Sequence, residues 1–194
     1  LVLANTIQNS GKSTYLRFFI PRKLMNYLSE DIGLDKDSRI KLCKNLIINL
    51  DELSILAKAD INSLKAFISK THINERLPYA RKAEYLERIC SFVGSTNKTD
   101  FLTDESGSVR WIIFEVTEKI NFNYSMEINI DKVWSQAYFN AYKRKGFNPE
   151  LTLADISENE KRNERFTQMT LEQEMVNKFF EPSDNLEEFK TATE

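Results

Sequence analysis

Histidine occurs once in the 194 residues and cysteine twice, too few ligands for a structural zinc site. Cys43 and Cys90 lie in or beside mostly apolar runs, so they are expected as buried free thiols in a reducing cytoplasm rather than as a disulfide. No apolar run approaches the length that spans a bilayer, and no membrane partner is expected. The start, Leu-Val-Leu-Ala-Asn, has neither a Met nor the basic head and long apolar stretch of a secretory leader. It reads as a strand entered from upstream, so a fragment of a longer protein is expected. Internal repeats and low-complexity linkers are also lacking. Net charge is only −2, which by itself points neither toward nucleic acid nor away from it.

What is present is a chain with 41% hydrophobic and 29% charged residues, the profile of a soluble globular protein. Its length suits one α/β domain with a small appendage. Charge divides it unevenly. Residues 1–149 hold 22 Lys and Arg against 17 acids, and residues 150–194 hold 5 against 12. The expected organisation is a mildly basic core over 1–149 followed by an acidic, partly frayed helical extension over 150–194. Any electrostatic footprint for phosphates then lies in the core.

Apolar runs at Leu1–Ala4, Leu46–Leu50, Ile89–Gly94 and Trp111–Val116 read as strands, the second buried on both faces as in a parallel sheet. Tyr15–Ile20, Asp60–Ser69 and Val133–Tyr142 carry helical spacing, and Glu158–Phe180 reads as one long charged helix, with Thr170 marking a point where it can break. A short helix or loop is expected over Leu24–Leu34, and a loop or hairpin over Lys70–Lys82. Strands alternating with helices predict an α/β domain whose sheet is mostly parallel.

Five constellations carry candidate chemistry. Thr6-Ile7-Gln8-Asn9-Ser10-Gly11-Lys12-Ser13 fits a phosphate-binding loop between strand and helix, except that Thr6 stands where a glycine is expected. Backbone N–H groups of Gln8 to Thr14 would wrap the phosphates, Lys12 would reach the β/γ oxygens, and the Ser13 hydroxyl would ligate Mg²⁺. The competing reading is a chance Gly-Lys-Ser at a helix start. Next, the run from Leu46 delivers Asp51 and Glu52 to a strand's carboxyl end, 39 residues after Lys12. Asp51 would hold the magnesium shell and Glu52 would activate the attacking water; a pair of helix-capping acids is the plain alternative. Third, Ser91–Asn97 ends a buried strand in small polar residues, and Asn97 would sense the γ-phosphate or the attacking water. Fourth, Arg110 follows a Gly turn into a strand and would serve a neighbouring subunit as an arginine finger, or else is a surface arginine. Last, residues 65–88 hold six Lys and Arg against three acids. Lys65, Lys70, Arg76, Arg81 and Lys82, with Tyr79 interleaved, suit backbone contact and base stacking on a single strand, or form an ordinary solvated face.

In this order the blocks resemble the virulence-associated E family, whose ATPase domain is similar to superfamily 3 helicases of viruses, phages and plasmids. The resemblance runs from about residue 1 to 146. It rests on Gln8…Gly11-Lys12-Ser13-Thr14, Asp51-Glu52-Leu53, Leu64–Ser69, Arg76-Leu77-Pro78-Tyr79, Arg88…Phe92–Asn97, Asp104…Gly107…Arg110 and the Val133-Trp134 helix. It implies an AAA+-like P-loop NTPase fold and ATP hydrolysis at subunit interfaces of a hexameric ring. It further implies a pore loop acting on single-stranded DNA, a primase or other replication domain elsewhere in the protein, and a bacterial or phage-encoded cytoplasmic setting. Three positions depart from the family pattern: Thr6 and Asn9, where glycine is usual, and Val109, where a basic residue is usual. Missing loop glycines predict a functional but weakened ATP site, because glycine is the cheap route to positive φ. Two other functions compete: a regulatory or scaffolding module with vestigial hydrolysis, favoured by those departures, and a small-molecule kinase, disfavoured by the Asp-Glu pair.

Overall fold

The computed structural model describes residues 1–30, 33, 35–51, 53, 65–102 and 109–181. Its centre is a five-stranded sheet of β1 (Val2–Ala4), β2 (Leu28–Ser29), β3 (Ile47–Leu50), β6 (Ser91–Thr96) and β7 (Ile113–Glu115), in the order β2-β3-β6-β1-β7. Every pairing in it is parallel. β4 (His72–Glu75) and β5 (Glu84–Glu87) form a separate antiparallel hairpin.

The period-2 alternation of each strand sorts its side chains between two cores. Val2, Ala4, Ile48, Leu50 and Ile113 face one core, and Leu3, Ile47 and Val93 face the other. Helix α1 (Lys12–Phe18) covers the second with Leu16. Helix α2 (Lys36–Lys44) covers the first with Ile40 and Leu42, joined by Phe67, Phe101, Trp111 and Phe166. Burial of both sheet faces is why β1 reads as an apolar run and β3 as a nearly apolar one, broken by the buried Asn49. Gly94 is needed for the close approach of β6 to β3, since a Cβ there would lie 2.8 Å from the Leu50 carbonyl oxygen.

The strands expected at the four apolar runs are present, with Ile89–Gly94 shifted to Ser91–Thr96. The segment expected as a helix or loop after Leu24 holds a 3₁₀ helix over Arg22–Tyr27 and then the edge strand β2, too short to show a period. α2 has no counterpart among the expected helices: its apolar face is narrow and its sequence mostly charged. Asp35 caps it, accepting from the Ser38 N–H at 2.9 Å. The long C-terminal helix is two. α4 (Leu153–Asn163) ends in a 3₁₀ turn, Glu164–Phe166, and α5 (Leu171–Phe179) follows.

The reason for that break lies in the core. Phe166 is 1% exposed and packs beside Phe101, and both Asn159 and Asn163 donate to the Trp111 carbonyl, at 2.8 and 2.7 Å. The chain must turn there to insert Phe166, and Leu102 then bridges to Thr167. Helix α3 (Ile130–Tyr142) buries no residue, though its Trp134 indole donates to the Phe19 carbonyl at 2.8 Å. Both cysteines are free; Cys90 is buried, and burial pushes its thiol up to about 11, while Cys43 is half-buried. Among the described residues no helix is long and apolar enough to cross a membrane.

Candidate nucleotide site

The sheet reverses its direction of growth at β1. From β1 the chain leaves for the far edge at β2, returns through β3 and β6, and places β7 on the other side of β1. Such a switch point opens a crevice at the carboxyl ends of the strands, where loops diverge to opposite faces. β1 there runs into residues 5–11, β3 into Asp51 and β6 into Asn97.

The loop after β1 is tied down at its start and curled at its end. Asn5, 4% exposed, donates its N–H to the Thr96 carbonyl at 3.2 Å. Its side chain accepts from the Ile7 N–H and donates to the Val116 carbonyl. Left-handed backbone follows at Asn9 (φ 54°) and Gly11 (φ 90°). Asn9 thus adopts the conformation for which a glycine would be chosen, and asparagine is among the side chains that tolerate it. Thr6 is not among the positive-φ residues, so a side chain at that position costs the loop nothing in φ. The expected weakening therefore has no conformational basis at position 6, and at position 9 it is limited to what asparagine costs.

Lys12 begins α1 and is 6% exposed. Its ammonium donates to Asn97 Oδ1 at 2.9 Å, Ser10 Oγ at 3.1 Å and the Ile7 carbonyl at 3.4 Å. Burial pushes this ammonium below its usual pKa, with Asp51 pulling in the opposite direction. Ser13 Oγ donates to Asp51 Oδ1 at 2.7 Å, and the Ser95 hydroxyl donates to the same oxygen. Lysine, hydroxyl, carboxylate and amide thus converge from three strand ends on one cavity of about 430 Å³. Asn9 to Thr14, Asp51 and Asn97 line it; Gln8 is exposed on the turn and does not. Ser95, from the small polar end of β6, lines it as well, as do Arg17 and Phe122, which carry no sequence signal of their own. Arg17 pairs with Glu30 beside it. Glu52 lies outside the described residues.

The donor set fits a magnesium nucleotide. A hydroxyl and a carboxylate 2.7 Å apart are hard oxygen ligands of the kind Mg²⁺ takes, and the loop offers curled backbone with a lysine beneath it. Among the described residues no cluster of three or more His, Cys, Asp or Glu could hold a metal by protein ligands alone.

Arg110 is elsewhere. It precedes β7, so it lies at the amino end of the parallel sheet, opposite the phosphate loop. There it donates from Nε to Ser69 Oγ at 2.9 Å and borders an apolar cavity of about 620 Å³. The basic segment takes in the helical turn at 65–68, Lys70 and the β4–β5 hairpin. Lys70, Arg76, Tyr79, Arg81 and Lys82 are exposed, and Lys65 is half-buried on the helical turn of residues 65–68. Tyr79 stands free of the surface at the tip with φ 65°. Arg88, counted with them in the sequence, is instead a brace. It donates to the carbonyls of Ile68, Lys70 and Cys90 and lies over the Phe92 ring at 5.3 Å.

A family model described as the virulence-associated protein E-like domain matches residues 1–172. The chain belongs to this family. The match of the virulence-associated protein E-like domain runs beyond residue 146 and takes in α4 and Phe166, which belongs to the first core. No curated protein matches the chain. Three solved structures similar to this domain are apo forms of the C-terminal region of NrS-1, all at 16% identity. Two cover 93% of this chain and 42% of their own, with TM-scores of 0.49 and 0.47. The third covers 91% and 37% with a TM-score of 0.43. The virulence-associated protein E-like chain therefore spans about two-fifths of the length of these structures.

Proposed function

We propose that this chain is the P-loop, AAA+-like ATP-hydrolysing motor of a replicative helicase or primase-helicase from a mobile genetic element. One observation carries the reading: Lys12, Ser13, Asp51 and Asn97, as many as 85 residues apart, meet in one cavity at the switch point of a parallel sheet. Lys12 would exchange its bonds to Asn97 and Ser10 for phosphate oxygens. Ser13 and Asp51 would hold Mg²⁺, which when bound neutralises charge on the phosphates. Asn97, freed from Lys12, would orient the attacking water, and Glu52, next in the chain to Asp51, would accept its proton. A small-molecule kinase has no need of that second acid.

Single-stranded DNA is the proposed track, and the hairpin tip the proposed contact. Its exposed cations suit a phosphate backbone, and a freestanding tyrosine suits an unstacked base. Self-association into a ring, with six subunits proposed, is supported by the face of α3, which leaves Tyr138, Phe139 and Tyr142 exposed. A primase or other replication domain is proposed in the remainder of the full protein.

The test is ATP binding and turnover, with and without single-stranded DNA. Lys12→Ala should weaken Mg·ATP roughly 10- to 150-fold, the loss of a charge-assisted bond worth about 1.5–3 kcal/mol. Glu52→Gln should bind ATP normally and turn it over at a small fraction of the parent rate. Parent-level hydrolysis in Glu52→Gln would remove the base assignment, and unchanged affinity in Lys12→Ala would remove the site.

A further inference from the structure

Among the described residues, one large apolar side chain lines the otherwise polar cavity at the phosphate loop: Phe122. Its surroundings fix its place without covering it. After β7 the Val116 N–H donates to the Ala4 carbonyl at 2.8 Å, and the Ile120 N–H donates to the Ser10 carbonyl at 2.9 Å. The second bond hooks the segment after β7 onto the phosphate loop itself. Two residues past Phe122, Tyr124 packs edge-on against Tyr15 at 4.9 Å and Phe18 at 4.9 Å, both on α1. The Asn123 N–H donates to Asn121 Oδ1 at 3.0 Å, which tightens the turn between these anchors. Phe122 is thus held from both sides. Its ring tip points at Gly11: a Cβ there would come within 3.0 Å of Phe122 Cζ. Yet the residue remains 54% exposed.

An aromatic ring that is positioned by its neighbours and still wet is poorly explained by core packing. Two anchors already seat the segment, and Tyr124 supplies its apolar contact with α1. We infer that Phe122 is the stacking platform for the base of the nucleotide held by this loop. The inference rests on the reading of the loop as a nucleotide site and names the residue that takes the other end of the ligand. A nucleoside triphosphate has a polyanionic end and a flat π-faced end. The cavity offers a matching pair: the loop and Lys12 for the first, a bare ring on the flank of Gly11 for the second. Stacking reads a π-face rather than an edge, so the platform holds a base firmly while selecting weakly among bases.

Two probes separate the ends. Mg·ATP carries the base; Mg·tripolyphosphate carries only the anion. Alanine substitution of a base-stacking aromatic commonly costs roughly 5- to 150-fold in affinity. With the full chain, Phe122→Ala should therefore weaken Mg·ATP by that factor while leaving Mg·tripolyphosphate within about twofold. Phe122→Trp should retain ATP affinity, and its indole fluorescence should be quenched by ATP and not by tripolyphosphate. Equal losses for both probes in Phe122→Ala would show that the ring only shapes the loop, and no loss for either would show that the base lies elsewhere. Both results overturn the inference. Lys12→Ala is the control for the site, since it should weaken both probes. If Lys12→Ala changes neither, the nucleotide site is not here and this inference falls with it.

Discussion

Asn9 shows how much one backbone angle decides at the scale of a residue. Its φ of 54° lies in the left-handed region, where Cβ crowds the following carbonyl. Asparagine tolerates the region, and a β-branched side chain does not. Asn9→Val should therefore cost about 1–2 kcal/mol in urea denaturation and weaken nucleotide binding in parallel, while Asn9→Gly should leave both near the parent values. Equal behaviour of the two variants would mean that the loop does not keep this angle in solution. Lys12 carries a different tension. Burial lowers the pKa of its ammonium while Asp51 pulls the other way, and its bonds to Asn97 and Ser10 hold it in place.

Two elements make separable predictions. α4 opens on a capping box in which the Thr152 side chain accepts from the Asp155 N–H and the Asp155 carboxylate accepts from the Thr152 N–H. Thr152→Ala should lower stability by about 1 kcal/mol in equilibrium unfolding. The same box sets a pH dependence. Hydrogen bonds from the Thr152 hydroxyl and then its N–H hold the Asp155 carboxyl below its ordinary value of 3.8. The unfolded chain then binds more protons in acid, so this stabilisation is complete above the ordinary value and is lost as pH falls through the folded one. Thr152→Ala should flatten the acid limb of the stability profile, and an unchanged limb would exclude the box as its source. The β4–β5 hairpin is the second element. Arg39 of α2 pairs with Glu75 at 2.6 Å, and Ile73 is buried against the core, which leaves the tip free to carry charge. Charge reversal at Lys82 or Lys70 should weaken single-stranded DNA binding and reduce its salt slope by about one unit for each phosphate no longer neutralised. Unchanged affinity and slope in both variants would move the track elsewhere.

Across the whole molecule, the phosphate loop and Arg110 sit at opposite ends of the parallel strands. With Arg110 held at that far end beside Ser69, the proposed action of Arg110 on a nucleotide is one on a neighbouring subunit's site. Head-to-tail contacts of that kind either close into a ring or continue as a filament. Arg110→Ala should then bind ATP normally and hydrolyse it about 10³- to 10⁵-fold more slowly, the range for arginine fingers in other phosphoryl-transfer enzymes. Mixing Arg110→Ala with Lys12→Ala subunits should restore some activity, because some interfaces pair an intact Lys12 with an intact Arg110. Absence of recovery in rings shown to be mixed would exclude a role in trans. The larger cavity beside Arg110 is apolar and lined by strand starts, chemistry unsuited to a phosphate.

Local chemistry made the chain's main features legible before any fold was known. Gly11-Lys12-Ser13 between an apolar run and a helical one, and Asp51 at the end of a doubly buried strand, depend only on neighbours in sequence. So does the alternation of elements, because burying both faces of a parallel sheet leaves nearly continuous apolar runs. Tertiary structure alone decided which ends meet. The strand order brings Asn97 to Lys12 and Asp51 to Ser13 and Ser95, and it sends Arg110 to the far end. Phe122, Asn5 and Arg17 joined the site without any pattern to mark them, and Arg88 left the basic set to brace carbonyls. The physical reason is the same in each case. Periodicity records how much of a segment is buried, whereas a site depends on which segments lie against one another, and that follows from crossover connections and the packing of distant cores.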